Sequence, residues 1–591
     1  MSHSPSFVDD INPRLSWSWK LVVCLLAFIA YLGTVRYDFV YDDAPLIVEN
    51  SYLTSWKYLS GYFGTHLFQS SSDIVVRYYR PLVLTWFLIQ RKLFGLNPVG
   101  WHWFNILLHV AVTYLVCEFV KRLAGDSKIA FFAGLIFALN PVHIEVTAWV
   151  SSAGEMLLAI FVLSSFLCFV RSNEAQRGAG WMPGSLVFFA AALLTKETAC
   201  MLPAAVFLYS WIYGKAAKEE GIARKLALGL KTISPFVLVL AAYAVVRSMV
   251  FRGEGFRGNT ITIKQMVLTW PLLLVSYLKL LLFPIRTSEF YDFSAVGSFK
   301  FTKVLLPLLG LLLLGALLVE WRRRSGSKLV TFAAGWTLLW IIPVLYIRAF
   351  QPNELLHDRY AYLSSIGICA LMALGISHIP SRQRTLLGIP AWQAITGGSI
   401  AVLMLWITVT QQAYWANDLM LSYRGVMTAP LNNKPRIRLA EIFLNRGQLD
   451  KALPLYLDAY HRAKDNWLAT YNAGYIYYQF GDWQQAKEYL DKTIWMSPNL
   501  PEAYAYRGFS EVALGQIDAG TSDLQRAVGL DPNQPGVHAV LAALYERQGK
   551  VAAALEGYRV ELTRQPANQK LQKHIRELEL QIGNSSKKKR Q

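Results

Sequence analysis

Charged residues are scarce in this sequence of 591 residues, of which only 16% are Asp, Glu, Lys or Arg while 54% are hydrophobic. So low a charged fraction, together with repeated apolar runs, excludes a soluble globular protein. Acidic residues are the fewest, with 39 Asp and Glu against 58 Lys and Arg. Because the basic residues lie in short clusters between apolar runs, they orient membrane spans rather than bind nucleic acid. We therefore expect a multi-pass membrane protein with no nucleic-acid partner.

Cysteine is also rare, and its spacing excludes two common kinds of site. The five cysteines all lie in apolar runs, at Cys24, Cys117, Cys168, Cys200 and Cys369. None has the spacing of a zinc site or of a disulfide framework, so we interpret them as small core residues. A small-residue cleavage site is also absent after the first apolar run, which we expect to remain as a membrane anchor.

Hydropathy predicts about eleven membrane spans, at residues 17–36, 103–123, 128–147, 154–171, 181–196, 198–214, 229–250, 301–321, 328–347, 359–378 and 391–414. Two further apolar stretches, residues 81–94 and 265–283, are ambiguous. The first is short and contains Arg91 and Lys92, and counting the second as a span would break the charge pattern. We predict both as interfacial or re-entrant helices on the outer face.

The basic clusters between these spans all fall on one side of the membrane, which the positive-inside rule makes the cytoplasm. The first long loop, residues 37–102, then lies outside, as do the loops after Asn140, at Lys196 and before Arg359. Compact loops and the lack of a retention signal favour a bacterial cytoplasmic membrane.

A fixed period appears after the last span, where the composition becomes compatible with water. Glycine recurs every 34 residues, at Gly447, Gly481, Gly515 and Gly549. Proline closes successive units, at Pro498, Pro532 and Pro566. This pattern is typical of tetratricopeptide repeats, in which glycine fits the turn between two paired helices. Four repeats and a capping helix would form a short superhelix with a concave groove.

The whole chain is therefore predicted to be all-α, with a polytopic membrane domain over residues 1–420 and an α-solenoid over residues 433–582. The basic tail, residues 583–591, has no assigned role. Because the number of predicted spans is odd, the repeats lie outside the cytoplasm in this arrangement.

Polar side chains cluster in the outer loops, where sequence close to the lipid is expected to be apolar. They are Asp42 and Asp43, Arg77 and Arg80, His143 and Glu145, Lys196 and Glu197, and His357, Asp358, Arg359 and Tyr360. Adjacent carboxylates at a membrane surface repel one another and lose hydration, so they persist where a positive partner or a reaction needs them. Their common side of the membrane predicts one shared site.

Each cluster also has a simpler interpretation. Asp42 and Asp43 suit a polar turn that closes a helix. His143 and Glu145 are two residues apart and suit a divalent metal, although spacing identifies no third or fourth ligand. Lys196 and Glu197 suit a self-neutralising pair at a helix junction, and Arg359 suits an interfacial anchor.

The order of these motifs resembles that of one family. The motifs are Phe39-Val40-Tyr41-Asp42-Asp43, Arg80-Pro81-Leu82, Asn140-Pro141-Val142-His143-Ile144-Glu145, Thr195-Lys196-Glu197 and Asp358-Arg359-Tyr360-Ala361-Tyr362-Leu363, followed by the repeats. The chain resembles the transmembrane and tetratricopeptide repeat-containing O-mannosyltransferases of the GT-C glycosyltransferase superfamily. It departs from them in carrying only four repeats, and in reading Asp358-Arg359 where Glu-Arg is expected.

The resemblance implies transfer of a sugar, mannose in this family, from a polyprenyl phosphate to Ser or Thr hydroxyls of a polypeptide outside the cytoplasm. It implies Asp42 or Asp43 as general base and Arg80, Lys196 or Arg359 as partners of the departing lipid phosphate. His143 and Glu145 would orient the sugar or the acceptor, with Glu197, Asp358 and Tyr360 as further substrate contacts. The repeats would present the acceptor polypeptide, and lipid would surround the membrane half.

Three other functions stay open from the residues alone. The chain would be a non-catalytic scaffold if its repeats recruit partners and its membrane half only anchors them. It would instead be a GT-C enzyme with a lipid or glycan acceptor if the repeats do not bind polypeptide. Ion transport needs acidic residues through the middle of the membrane, whereas the acidic residues of these motifs cluster at one surface.

Overall fold

The computed structural model describes residues 15–67, 78–173, 180–251, 260–352, 354–380, 385–386 and 388–588. The chain forms two compact units, Met1–Pro430 and Leu431–Gln591, and both are helical. In the described residues, the only β structure is a two-stranded antiparallel pair, β1 (Thr385–Leu386) with β2 (Ile389–Pro390). The predicted all-α class is confirmed.

The first unit contains fifteen described α-helices. In chain order they are α1 (Leu15–Tyr31), α2 (Pro81–Phe94), α3 (Pro98–Ala124), α4 (Ser127–Leu139), α5 (Ile144–Ala148), α6 (Ala153–Ser172), α7 (Trp181–Thr195), α8 (Leu202–Ile212), α9 (Ile222–Val250), α10 (Ile263–Leu282), α11 (Leu306–Ser325), α12 (Lys328–Ile341), α13 (Tyr362–Ser377), α14 (Ala391–Gln412) and α15 (Asp418–Thr428). Short 3₁₀ and π turns extend several of them.

Nine helices in the described part of the chain are long and apolar enough to cross a membrane, or ten if a bent pair counts as one span. The chain is therefore a multi-pass membrane protein, with somewhat fewer spans than the eleven predicted. Three predicted spans are not among these nine helices, and one of the nine, α10, is not a span in the sequence prediction. Residues 128–147 form the bent pair, and residues 181–196 and 198–214 form the short helices α7 and α8.

The bent pair is interrupted at Asn140 and Pro141, where the chain turns by 50° between α4 and the following helical segment, Pro141–Ala148. Pro141 has no backbone N–H to continue the helix of α4, and the side chain of Asn140 instead accepts the N–H of Val142 at 3.1 Å. This break places Glu145 on the short helix α5, away from the axis of α4.

Helix α10 has the length and hydropathy of a span, although the sequence predicts an interfacial helix. Its interfacial placement stays a prediction, and two of its side chains bond to the segment between α12 and α13. Trp270 donates to the carbonyl of Leu345 at 2.9 Å, and Tyr277 accepts from the N–H of His357 at 3.4 Å. Both partners lie in the connection between α12 and α13, so α10 runs across one end of these helices.

Helices α12 and α13 pack closely because Gly367 faces the backbone of α12. A Cβ at this position would lie 2.2 Å from the carbonyl oxygen of Ala333. Trp336 reinforces the contact by donating to the carbonyl of Leu363 at 2.9 Å. This contact fixes the start of α13, which closely follows Arg359.

The second unit consists of four helix pairs and a final helix. They are α16 (Asn433–Asn445) with α17 (Leu449–Arg462), α18 (Trp467–Phe480) with α19 (Trp483–Met496), α20 (Pro501–Ala513) with α21 (Ile517–Leu530), α22 (Val537–Arg547) with α23 (Val551–Arg564), and α24 (Gln569–Lys588). The four glycines of the 34-residue period all adopt positive φ, between 70° and 78°. Only glycine tolerates this conformation well, so the predicted repeat turns are confirmed.

Candidate active site

Loops from distant parts of the first unit meet around a cavity of about 90 Å³. Its charged lining consists of Asp42, Arg80, Glu155, Lys196 and Arg359. Its aromatic lining consists of Tyr78, Trp149 and Tyr360. Three cations and two carboxylates thus face one small space.

Arg80 immediately precedes helix α2 and is held by Glu197. Its Nη2 and Nε atoms donate to Oε2 of Glu197 at 3.0 and 3.2 Å, and its guanidinium lies 4.2 Å from the ring centroid of Tyr78. Burial raises the pKa of Glu197, but the charges of Arg80 and Arg247 and the hydrogen bonds to the carboxylate together hold that pKa below its usual value. Glu197 therefore remains a carboxylate behind the cavity and orients Arg80 toward it.

Lys196 forms a buried ion pair with Glu155 rather than with its sequence neighbour Glu197. Its ammonium contacts Oε1 of Glu155 and lies 4.6 Å from the ring centroid of Tyr360. Burial lowers the pKa of Lys196, with further lowering by Arg80 and Arg359, while Glu155 opposes the change. Both partners line the cavity, so Glu155 is a site residue that the sequence analysis missed.

Arg359 joins three segments of the chain. Its guanidinium contacts Oε1 of Glu145 and lies 3.2 Å from Oε2 of Glu289, and its backbone N–H donates to Glu145 at 3.1 Å. It also lies 5.3 Å from the ring centroid of Trp149. Glu145 is fully buried, and its described partner is this arginine, which it orients at the cavity wall.

Glu289, which the sequence analysis also missed, belongs to the one group of described residues suited to a metal ion. Glu145, Glu289 and His357 each bring a ligand atom within 4.8 Å of the other two. The guanidinium of Arg359 already contacts both glutamates and supplies positive charge to them. Burial and the neighbouring Glu145 nonetheless raise the pKa of Glu289 well above its usual value. We assign no chemical step to a metal here.

The two adjacent aspartates have different environments. Asp42 is half-buried and lines the cavity. Asp43 is fully buried, and its carboxylate accepts the N–H of Val40 at 2.9 Å, the N–H of Ser151 at 2.8 Å and the hydroxyl of Ser151. Burial raises the pKa of Asp43 to about 7. Asp43 therefore fastens the first loop to the segment before α6, while Asp42 faces the space where a substrate would lie.

Four of the predicted substrate contacts lie outside the cavity lining. Two of them, Glu145 and Glu197, orient Arg359 and Arg80 as described above, and the other two are His143 and Asp358. His143 is fully buried and shares a hydrogen bond with the hydroxyl of Ser365 at 2.9 Å, with its ring 4.3 Å from that of Phe137. Asp358 is also fully buried and accepts the N–H of Ser288 at 3.2 Å and the hydroxyl of Tyr291. Protein partners enclose both side chains, and direct substrate contact by His143 and Asp358 stays a prediction. Arg77, named beside Arg80, lies outside the described residues.

Comparison with known proteins agrees with this division of the chain. Residues 79–239 match the family described as Dolichyl-phosphate-mannose-protein mannosyltransferase. This segment carries Arg80, Glu145, Glu155, Lys196 and Glu197. Residues 437–501 and 507–569 match the family described as Tetratricopeptide repeat.

Similar proteins extend the likeness to most of the chain. The human Protein O-mannosyl-transferase TMTC3 is 26% identical over 506 residues, covering 78% of this chain and 53% of that protein. Tmtc3 of Drosophila melanogaster is 23% identical over 570 residues, covering 84% of this chain and 60% of the relative. Human TMTC2 is 36% identical over 187 residues, covering 30% of this chain and 22% of the relative.

The chain thus spans less than two thirds of the length of each of these relatives. Among solved structures, YrrB, a TPR protein with an unusual peptide-binding site, matches at 21% identity with a TM-score of 0.24, covering 25% of this chain and 77% of that one. The resemblance drawn from the order of the motifs is confirmed by the sequence relatives. The chain is a multi-pass membrane relative of the TMTC protein O-mannosyltransferases that joins a mannosyltransferase-like membrane half to tetratricopeptide repeats.

Proposed function

We propose that the chain transfers mannose from a polyprenyl phosphate to a Ser or Thr hydroxyl of a polypeptide, and that Asp42 is the general base. The observation that carries the proposal is the common cavity of Asp42, Arg80, Lys196 and Arg359. The relatives of this chain are named as protein O-mannosyl-transferases. The membrane half supplies the setting for a lipid-linked donor.

The three cations suit the leaving group of this reaction. When the bond between the sugar C1 and the phosphate oxygen breaks, the polyprenyl phosphate gains negative charge. Arg80, Lys196 and Arg359 are each already oriented by a glutamate, so little rearrangement is needed to stabilise that charge. Fixed, partly buried donors of this kind act more strongly than mobile ones in water.

Asp42 completes the reaction. The acceptor hydroxyl forms a new bond to C1 while its proton passes to the Asp42 carboxylate, and a single displacement of this kind inverts the configuration at C1. A positioned base contributes about 10²- to 10⁴-fold to the rate. We favour Asp42 over Asp43 because the oxygens of Asp43 already accept three hydrogen bonds from the protein.

The aromatic lining suits a sugar ring. Tyr78, Trp149 and Tyr360 face the cavity, and each of them also lies against one of its cations. Aromatic faces offer flat apolar contact, while the charged groups around them hydrogen-bond to hydroxyls. The tetratricopeptide repeats would hold the acceptor polypeptide along their groove, outside the cytoplasm. The bacterial membrane stays a prediction.

The assay is transfer from synthetic polyprenyl-phosphate mannose to a Ser/Thr peptide by the purified full chain. We expect Asp42→Asn to lower kcat by about 10²- to 10⁴-fold, because an amide cannot take the proton. Asp38→Asn is the matched control, since Asp38 is an exposed carboxylate of the same loop, and it is expected to keep the rate.

Full activity of Asp42→Asn would contradict the base assignment. If Asp43→Asn alone abolished transfer in a protein that remains folded, the base would instead be Asp43. Replacing the mannose donor with the glucose donor tests the sugar, and equal rates would contradict the assignment of mannose.

A further inference from the structure

Helix α15 lies shortly after the last membrane helix and is the final helix of the first unit. The first repeat helix, α16, begins at Asn433, five residues after the end of α15 at Thr428. A helix in this position would serve only as a connection if it made no contact with the site. Its side chains instead bond to the turn before Asp42, which lines the cavity, and to the segment of Glu289, a partner of Arg359.

The first segment is the turn that carries the proposed base. Tyr41 has φ of 57° and is the only non-glycine residue with positive φ in the described parts of the chain. Such a conformation is unfavourable for a residue with a Cβ and persists where the surroundings hold it. Here the N–H of Tyr41 donates to the carboxylate of Asp418 at 3.0 Å, and the N–H of Asp38 donates to the carbonyl of Ala416 at 3.0 Å. The next residue in the chain is Asp42.

The second segment is residues 287–290, which carry Glu289. Arg424 donates through Nε and Nη2 to the carbonyl of Thr287, both at 3.2 Å. Thr428 donates to the hydroxyl of Ser288 at 2.8 Å and approaches the carbonyl of Phe290 at 3.2 Å. Glu289 lies between these anchored residues and contacts Arg359, so α15 also holds one of the two glutamates that pair with this arginine.

The two segments also contact each other. The ring centroid of Tyr41 lies 6.0 Å from that of Phe290 and 5.6 Å from that of Trp149. Trp149 in turn stacks on Trp415, just before α15, at 6.0 Å. One short helix therefore contacts both the turn before the proposed base and the segment that pairs with Arg359.

We propose that Asp418 is a positioning residue that holds the strained turn at Tyr41 and thereby aims Asp42 into the cavity. This inference rests on the proposed function, because it assigns Asp418 a role through the proposed base. Asp418 does not belong to the described lining of the cavity, so its effect on the reaction is transmitted by the backbone of Tyr41.

The activity test compares two substitutions at Asp418 in the full chain. Asp418→Ala removes the acceptor for the N–H of Tyr41, and we expect kcat to fall about tenfold, the effect of one lost hydrogen bond, while KM for the polyprenyl-phosphate mannose stays the same. Asp418→Asn keeps an oxygen acceptor and is expected to restore most of the rate. Helix capping is not at stake, because Asn417 supplies the cap by accepting the N–H of Met420.

Asp126→Ala is the matched control. The carboxylate of Asp126 accepts one backbone N–H, that of Lys128 at 2.7 Å, at the end of α4 away from the site. Its loss should lower stability as much as the Asp418 change does, yet leave kcat unchanged. If kcat fell equally in Asp126→Ala, the effect of Asp418→Ala would be explained by a general loss of stability. That result would overturn the proposal.

Hydrogen exchange at the Tyr41 amide gives a second measurement that does not depend on the reaction. We expect Asp418→Ala to increase the exchange rate at Tyr41 and Asp418→Asn to leave it near the wild-type rate. An unchanged rate in Asp418→Ala would overturn the positioning contact. Faster exchange with unchanged kcat, in a protein that Asp42→Asn inactivates, would overturn its role in the reaction. Activity in Asp42→Asn would instead contradict the proposed base and leave the exchange result to decide the contact.

Discussion

Both units of the chain contain ion pairs, and one pair from each shows how differently buried and exposed charges are used. In the membrane half, Lys196 and Glu155 have only 6% and 10% of their side chains exposed, and Glu145 pairs with Arg359, 214 residues away. In the repeats, Lys492 and Glu488 have 32% and 52% of their side chains exposed and lie four residues apart on one helix. Buried pairs between distant segments hold a site together, whereas exposed pairs within a helix contribute little.

Breaking one pair in each unit tests this difference. The loss of the buried pair has the largest effect that we expect. Glu155→Gln leaves the buried ammonium of Lys196 without the carboxylate that it contacts. We expect the free energy of unfolding to fall by about 3 kcal/mol, with loss of sugar transfer. Glu488→Gln should change the free energy by less than about 0.5 kcal/mol, because water solvates both partners.

Unfolding of the two purified variants in detergent, followed by circular dichroism, provides the measurement. Equal effects in the two units would show that burial does not separate these pairs. Retention of transfer by a stable Glu155→Gln protein would remove Glu155 from the site.

A second test uses the raised pKa of Asp43. Between about pH 4 and 7 the folded protein keeps a proton on Asp43 that the unfolded chain has released, so stability falls as pH rises through this window. The slope from this one group is at most about 1.4 kcal/mol per pH unit. Above about pH 7 both states are ionised and the contribution levels off.

Asp43→Asn removes the titrating group and should flatten the dependence of stability on pH between about pH 4 and 7. Its midpoint of thermal unfolding should also be lower at pH 5, since the new amide nitrogen faces the N–H of Val40 in place of an acceptor. Asp38→Asn, an exposed change in the same loop, should retain the wild-type slope. An identical slope in Asp43→Asn would show that other groups cause the dependence.

The comparison also explains what the sequence could predict. The repeats follow from a local period, because each glycine turn and each helix pair is formed by residues within 34 positions. In the membrane half, the sequence predicts Arg80, Lys196 and Arg359 as cations of one site. The reason is that the basic clusters between spans predict which side of the membrane each loop occupies. The partners of those cations are long-range contacts, and a single sequence does not contain them.

Neighbours in sequence gave the wrong pairs. Lys196 and Glu197 are adjacent, yet the extended backbone of Lys196, with φ of −158° and ψ of 140°, sends the two side chains to different partners. His143 and Glu145 are two residues apart at a helical turn and point into different surroundings. One feature of the sequence could have identified Glu155 as a site residue, namely that it is an acidic residue in the first turn of a largely apolar helix.

The smallest expected effect concerns two exposed repeat glycines that differ only in backbone conformation. Gly515 has φ of 78°, Gly529 lies within α21, and a Cβ would have no neighbour within 4 Å at either position. Gly515→Ala should therefore lower the free energy of unfolding by about 1 kcal/mol through conformational strain alone. Gly529→Ala should raise it by about 0.5–1 kcal/mol, because alanine favours the helix.

Denaturant unfolding of the full chain, monitored by the tryptophans of the repeats, distinguishes the two signs. Because the repeat turns are local, neither change should alter the pH dependence assigned to Asp43, and a shift in that dependence would show that the two units do not respond independently.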